Sequence, residues 1–316
     1  MKKLIAVLLV FTTLSCSNDD PSNQEIAVEN SGSVLDGKML SFKDEKSFVE
    51  EYSDLTLFNN EKLKEWISSK KLESLLNTSD NSEGIEDDVI PEARLVYSDA
   101  LKAILNSDFK VKVNGNVIWL NERTFYLLSE DDVNKSSKEL VVQKNNLKVY
   151  GSLLSLPNPK VNLTAKNLIP NENITKTFAS EEMNYNGSRL RHVVDLFNET
   201  IYLNDQLQSS KMFIRSILQY RSCSTWRCTW KEADNQRYLT GDFSSSPSSQ
   251  AWSVPYIYTY SAISGTQTIL LSTWHQPLAP IRPEFWYPNF VISGPLVCKL
   301  SVTAPAPLVS INLSWY

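Results

Sequence analysis

Two histidines, four cysteines and scattered carboxylates are the side chains with which this 316-residue chain could do chemistry. A Ser-His-Asp hydrolase would have to use His192 or His275 as its base. His192 shares an alternating apolar register with Val194 and Leu196, the setting of a core histidine. His275 follows Trp274 at a strand end before Gln276-Pro277 and is the better candidate for an exposed group. A glycosidase needs two carboxylates about 5 to 9 Å apart, yet residues 151–316 hold only ten acids, mostly isolated. The runs Glu86-Asp87-Asp88 and Glu130-Asp131-Asp132 lack the alternating ligands and the glycine of a calcium loop. Ser68-Ser69-Lys70-Lys71 has the Ser-x-x-Lys spacing of serine acylases without a companion motif. Nine glycines in all leave little room for phosphate or dinucleotide loops, and none of those signatures occurs. The sequence therefore points to no catalytic residue, no metal-ligand set and no cofactor.

The cysteines report on compartment. Met1-Lys2-Lys3, the apolar run Leu4–Phe11 and the small-residue exit Thr12–Cys16 have the plan of an export signal. The run has roughly 10 apolar positions, half the ~20 needed to span a bilayer. Two processing routes fit its end. Leu14-Ser15-Cys16 resembles a bacterial lipobox, with Thr13 where a branched aliphatic residue is usual, and would make Cys16 the lipidated first residue of the mature chain. Ordinary cleavage at the small pair Thr13 and Ser15 would instead leave Cys16 a thiol. Cys16-Ser17-Asn18-Asp19-Asp20 is similar to the leader junction of Bacteroidota-type lipoproteins, in which acids after the lipidated cysteine accompany export to the outer face of the outer membrane. This resemblance favours lipidation at Cys16 and outer-membrane lipid as a partner. Cys223 and Cys228 lie close enough to staple a hairpin in an oxidising compartment, or would remain two reduced thiols. Cys298 alternates in phase with Leu296, Leu300 and Val302 and reads as a core thiol; nothing near it supplies the base a nucleophile needs.

Charge divides the chain. Residues 17–150 carry 26 acids and 16 basic residues, a balance of −10; residues 151–316 carry 10 and 13, a balance of +3. So small a basic surplus, behind an export leader, gives no footprint for nucleic acid. Six of eight tryptophans lie beyond residue 225, and between Phe243 and Tyr316 only Arg282, Glu284 and Lys299 are charged. Aromatic rings presented flat to solvent can hold sugars. Trp226 and Trp230 beside the cysteine pair, and Trp286-Tyr287 in a Pro-flanked loop, are the rings that alternation does not force inward. They are the candidate ligand-binding residues, although Trp and Tyr also fill sandwich cores.

The elements that must position these groups change period along the chain. Phe48-Val49-Tyr52 and Leu63-Trp66-Ile67, the latter capped by Asn59 or Asn60, mark helices. A phase slip near Ser68-Ser69 then leads to Leu72-Leu75-Leu76. Another helix is expected over Ala93–Leu105, with Pro91 near its first turn. Asn114-Gly115 marks a type I′ hairpin with Phe109, Val111, Ile118 and Leu120 on one face. Later runs alternate: Arg191–Leu196, Lys211–Gln219, Tyr256–Tyr260, Thr268–Trp274, the Cys298 segment and Leu308–Trp315. The expected fold is α+β: a small helical N-terminal domain with a β-hairpin, followed by an antiparallel β-sandwich domain. The expected divisions are a signal peptide over 1–15, a lipidated cysteine and tether over 16–37, the helical domain over 38–128, a linker and irregular segment over 129–188, and the sandwich over 189–316.

In this plan the chain resembles uncharacterised two-domain surface lipoproteins of Bacteroidota type. The residues carrying the likeness are Cys16–Asp20, Ile104-Leu105-Asn106 leading into the Asn114-Gly115 hairpin, and the β-rich C-terminal half. The resemblance implies no activity and no site residues. Together these features favour an outer-membrane-anchored, outward-facing binding or adhesion module without catalysis, its partner a polysaccharide or surface protein. The alternatives are a secreted surface hydrolase or a structural subunit of an outer-membrane complex.

Overall fold

Strands dominate the computed structural model, which describes residues 32–78, 94–154, 175–247, 254–259, 263–274, 290–302 and 307–315. In order these form β1 (Ser33–Asp36), β2 (Met39–Phe42), α1 (Glu45–Leu55), α2 (Asn60–Lys70), α3 (Leu75–Thr78) and α4 (Asp99–Ile104). Next come β3 (Lys110–Val113), β4 (Asn116–Asn121), β5 (Thr124–Leu127), α5 (Ser137–Gln143), β6 (Lys148–Leu154), β7 (Thr175–Ala179) and β8 (Met183–Tyr185). The chain continues through β9 (Ser188–Leu203), β10 (Gln206–Cys223), β11 (Cys228–Glu232), β12 (Tyr238–Pro247), β13 (Val254–Thr259), β14 (Gln267–Thr273), β15 (Phe290–Lys299) and β16 (Leu308–Trp315). All belong to one compact unit, Gly32–Tyr316. Among the described residues no helix is long and apolar enough to cross a membrane.

Local chemistry sets the helix limits. Asp44 and Ser47 form a reciprocal capping box at α1, and Asn59 accepts the backbone N–H of Lys62 at the start of α2. The phase slip of the sequence is the end of α2, where Lys71 turns left-handed at φ 55°. α4 is shorter than its periodicity suggests, because Ser98 caps it while giving both its backbone N–H and its hydroxyl to Glu199 on β9. Tertiary contact thus starts this helix at Asp99. Asn114 and Gly115 both have positive φ, 52° and 75°, and close the β3–β4 hairpin in the expected register, Val111 opposite Ile118.

One sheet runs β1-β2-β3-β4-β5-β6-β9-β10-β11, with β14 added to β10 and β7 and β8 added to β9. β2 and β3 pair in parallel, which requires a long crossover; α1 to α4 are that crossover. The helices therefore pack on the same sheet that continues into the C-terminal half, and the expected separate helical domain followed by a sandwich is wrong. The second sheet, β13-β12-β15-β16, covers the opposite side of β9 and β10.

The reason for this correction lies in the β9–β10 hairpin. Alternation along these strands implied one apolar and one polar face, but Leu190–Ile201 and Ser210–Gln219 are buried without a break. Phe197, Ile201, Leu203 and Phe213 join the core under the helices with Phe48, Tyr52 and Leu101. Val194, Leu196, Met212 and Ile214 join the core under the second sheet with Ile292, Cys298 and Leu313. The Phe197 and Phe213 rings stack 5.4 Å apart, and burial of each contributes about 1.5–3 kcal/mol. A hairpin loaded on both faces is the trunk of the molecule. Against it, Gly151 lets β6 cross closely: a Cβ there would lie 2.1 Å from the carbonyl oxygen of Tyr202.

Candidate functional site

Three helices and the trunk converge on a cleft of about 570 Å³, within the range of small-ligand sites. The N-terminal half of α2 supplies Asn60, Glu61 and Lys64, and α4 supplies Asp99 and Lys102 one turn apart. Arg215 of β10 and Glu232 of β11 form the strand side, with Asp234 and the turn Ser264–Gln267 opposite the helices. Asn60 donates its amide to the carbonyl of Thr266 at 3.0 Å, and the Thr268 N–H reaches the Asp99 carboxylate at 3.3 Å. These two bonds tie the helices to the turn, so the walls are braced independently of any ligand.

The lining is amphoteric: four carboxylates, three cations, amides and a backbone turn, with Leu76 the one large apolar side chain. Such a surface offers both donors and acceptors to a hydroxyl-rich or otherwise polar ligand. Arg215 is held from beneath, donating Nε to the Asp195 carboxylate at 3.1 Å. Asp195 also receives a two-pronged pair from Arg94 and the Thr177 hydroxyl at 2.8 Å. The carboxylate is fully buried, and three donors compensate its lost hydration. Four residues along β9 on the same face, Glu199 accepts from the Tyr52 hydroxyl at 2.6 Å and from both donors of Ser98. Burial still pushes the Glu199 carboxyl above its ordinary range, and burial beside Glu199 raises Tyr52 well above the phenol range. The polar groups under the cleft thus lock α1, α4 and β10 onto β9.

The opposite face of the trunk carries a second polar cluster. His192 Nε2 lies 2.8 Å from the Ser216 hydroxyl, which also accepts from Arg237 Nε at 3.0 Å. Arg237 donates further to the carbonyls of Ser216 and Gly265. A serine beside a histidine suggests a nucleophile and base, but both residues are wholly buried. His192 Nδ1 has no hydrogen-bond partner among the described residues, so no carboxylate orients the ring. Burial, then the neighbouring Arg237 charge, hold its pKa down to about 3, and burial pushes the Cys298 thiol up to about 11. Both are core groups in the form that packs without charge.

The residues singled out in the sequence have different fates. Cys223 and Cys228 form the disulfide that closes the β10–β11 hairpin. Trp226 at its tip is 95% exposed. Trp230 is 2% exposed, its ring under the Arg191 guanidinium at 4.3 Å, and offers no face to solvent; pairing with Arg221 across the hairpin turns it inward. Cys298 is buried and reduced. Cys16, Trp286, Tyr287 and His275 lie outside the described residues, and among the described residues no cluster of His, Cys, Asp or Glu could hold a metal. Sequence reasoning missed Asp99, Lys102, Asp195 and Arg215. One signal was available for the last two: opposite charges placed centrally in otherwise apolar strands, which prove to be direct cross-strand partners.

No protein-family model matches the chain, and no curated protein matches it. Among solved structures the chain is similar to a DUF4848 family protein from Bacteroides thetaiotaomicron, at 11% sequence identity over 89% of this chain and 98% of that one, with a TM-score of 0.21.

Proposed function

We propose that this is a lipid-anchored, outward-facing outer-membrane protein that binds a polar ligand, a polysaccharide in the first instance, in the cleft between α2, α4 and β10. The observation that carries the reading is the braced amphoteric lining, in which carboxylates, amides and cations alternate around a ligand-sized space. Such groups pair with sugar hydroxyls as donors and acceptors alike. The leader and Cys16 supply the anchoring part of the proposal: acyl chains hold a protein stably at a bilayer when two or more are present. A hydrolase built on His192 has no support, since the ring is buried and neutral.

The test is calorimetric titration of residues 32–316 with a panel of neutral and acidic polysaccharides. At least one polymer should bind, and Lys64→Ala and Asp99→Asn should each weaken it by about ten-fold or more, the worth of a hydrogen bond to a charged group. Binding that neither substitution changes would remove the cleft from the reading.

A further inference from the structure

The β10–β11 hairpin ends in a ring that the fold has no use for. Five other tryptophans among the described residues, at 66, 119, 230, 274 and 315, are buried; Trp226 alone stands in solvent. Its exposure is not that of a loose loop. The disulfide joins the two strands directly below it, Ser224 donates its N–H to the carbonyl of Arg227 at 2.8 Å, and the Arg227 N–H returns to the Ser224 hydroxyl at 3.2 Å. A cross-linked, internally bonded turn presents the indole with little ordering left to pay on contact.

The hairpin end that carries the ring is basic. From Arg221 to Lys231 the sequence contains three cations and no carboxylate, in a chain whose formal net charge is −5. Arg227 and Lys231 are exposed. The adjoining Arg189 is also largely exposed, and the Glu182 carboxylate lies 3.5 Å from both Arg189 and Arg221. An indole has an apolar body and one N–H donor, the combination that settles at the level of lipid headgroups, and cations beside it are drawn to phosphate-bearing surfaces. We propose that the Trp226 hairpin is a membrane-seating tip, which inserts its ring at the interface of an anionic bilayer while Arg227 and Lys231 meet lipid phosphates. This second contact would set the orientation of the protein on the membrane; only the identity of that membrane rests on the lipid-anchor reading, and the cleft plays no part.

Co-sedimentation of residues 32–316, which lack the leader and Cys16, with phosphatidylcholine vesicles made with and without phosphatidylglycerol tests this. Binding should require phosphatidylglycerol and weaken as salt rises. Arg227→Ser and Lys231→Ser should each lower it about five-fold, the worth of one cation near an anionic surface, and Trp226→Ala should lower it further. Trp226 touches no core, so its substitution leaves folding intact, and Lys64→Ala in the cleft should leave vesicle binding unchanged. Equal vesicle binding by wild type and Trp226→Ala, or no vesicle binding at all, overturns the proposal. So does Trp226-dependent binding of soluble alginate without vesicle binding, which would make the tip a glycan contact.

Discussion

Acid should find its way into this fold through His192. The ring is wholly buried, its Nε2 set against the Ser216 hydroxyl and its charge opposed by Arg237. The Ser216 hydroxyl stands between the two groups, 2.8 Å from His192 Nε2 and accepting from Arg237 Nε, while His192 Nδ1 has no partner among the described residues. Protonation puts a second cation beside the guanidinium in a buried site. The pKa falls from 6.5 to about 3 on folding, so the unfolded chain binds the proton more tightly. The contribution is therefore complete above pH 6.5 and is lost as pH falls from 6.5 towards 3. At about 1.36 kcal/mol per unit of pH, moving from pH 7.5 to pH 4.5 should cost about 2–3 kcal/mol through this one group. Urea unfolding followed by tryptophan fluorescence at both pH values, for wild type and His192→Gln, isolates it. Glu199 shifts in the opposite sense, with stability lost as pH rises, but it is common to both proteins and cancels in the difference. The wild type should lose about 2–3 kcal/mol more than the variant over this interval. Equal losses in the two proteins would show that His192 does not titrate between buried and exposed states, and the account of the inter-sheet cluster would fail.

Two further predictions concern the trunk. Gly151→Ala should destabilise by about 2–4 kcal/mol, because the new Cβ meets the Tyr202 backbone at 2.1 Å and neither strand can yield without breaking the β6–β9 pairing; Gly37→Ala, where nothing lies within 4 Å, should cost only about 1 kcal/mol through its positive φ. In denaturant titration Asp195→Ala should cost about 3–5 kcal/mol, since it leaves Arg94 and Arg215 without their shared carboxylate. A loss below about 1 kcal/mol would mean that water replaces that carboxylate, and that Arg215 is not held under the cleft.

Much of the local structure was readable before any contact was known. Asn59 caps α2 because its short polar side chain reaches an unpaired backbone N–H of the first turn, whereas Ser98, expected inside a helix over Ala93–Leu105, caps α4 where it also bonds to Glu199. Asn114-Gly115 turns the hairpin because both residues accept positive φ. The Cys223–Cys228 spacing allowed a staple, and the staple is there. Alternation found β9, β10 and β13 to β16 and missed β12 among others, and it reports only that neighbouring side chains point to opposite sides. It does not say whether one side faces water. On β9 the residues Arg191, Asp195 and Glu199 look in sequence like a solvated face; in the fold they are buried because helices and a second sheet load the hairpin from both directions.

The cleft was illegible for a related reason. Its walls come from residues 60–64, 76–77, 99–102, 215, 232–234 and 264–267, brought together when the α1–α4 crossover folds over the trunk. No short spacing records that meeting. The two tryptophans of the stapled hairpin make the same point at the smallest scale. Trp226 and Trp230 have the same side chain, four residues apart, beside the same disulfide. Propensity and composition treat them alike, yet the cross-strand partner of Trp230 turns its ring under Arg191, while Trp226, beyond the last pair of the ladder, has no strand opposite it and stays in water. Sequence alone determined the Asn59 cap, the Asn114-Gly115 turn and the periods of the trunk strands, because those depend on a residue and its near neighbours. Which face of each strand is covered, and which charges meet across the cleft, depends on segments far apart in the chain and was decided only when they packed.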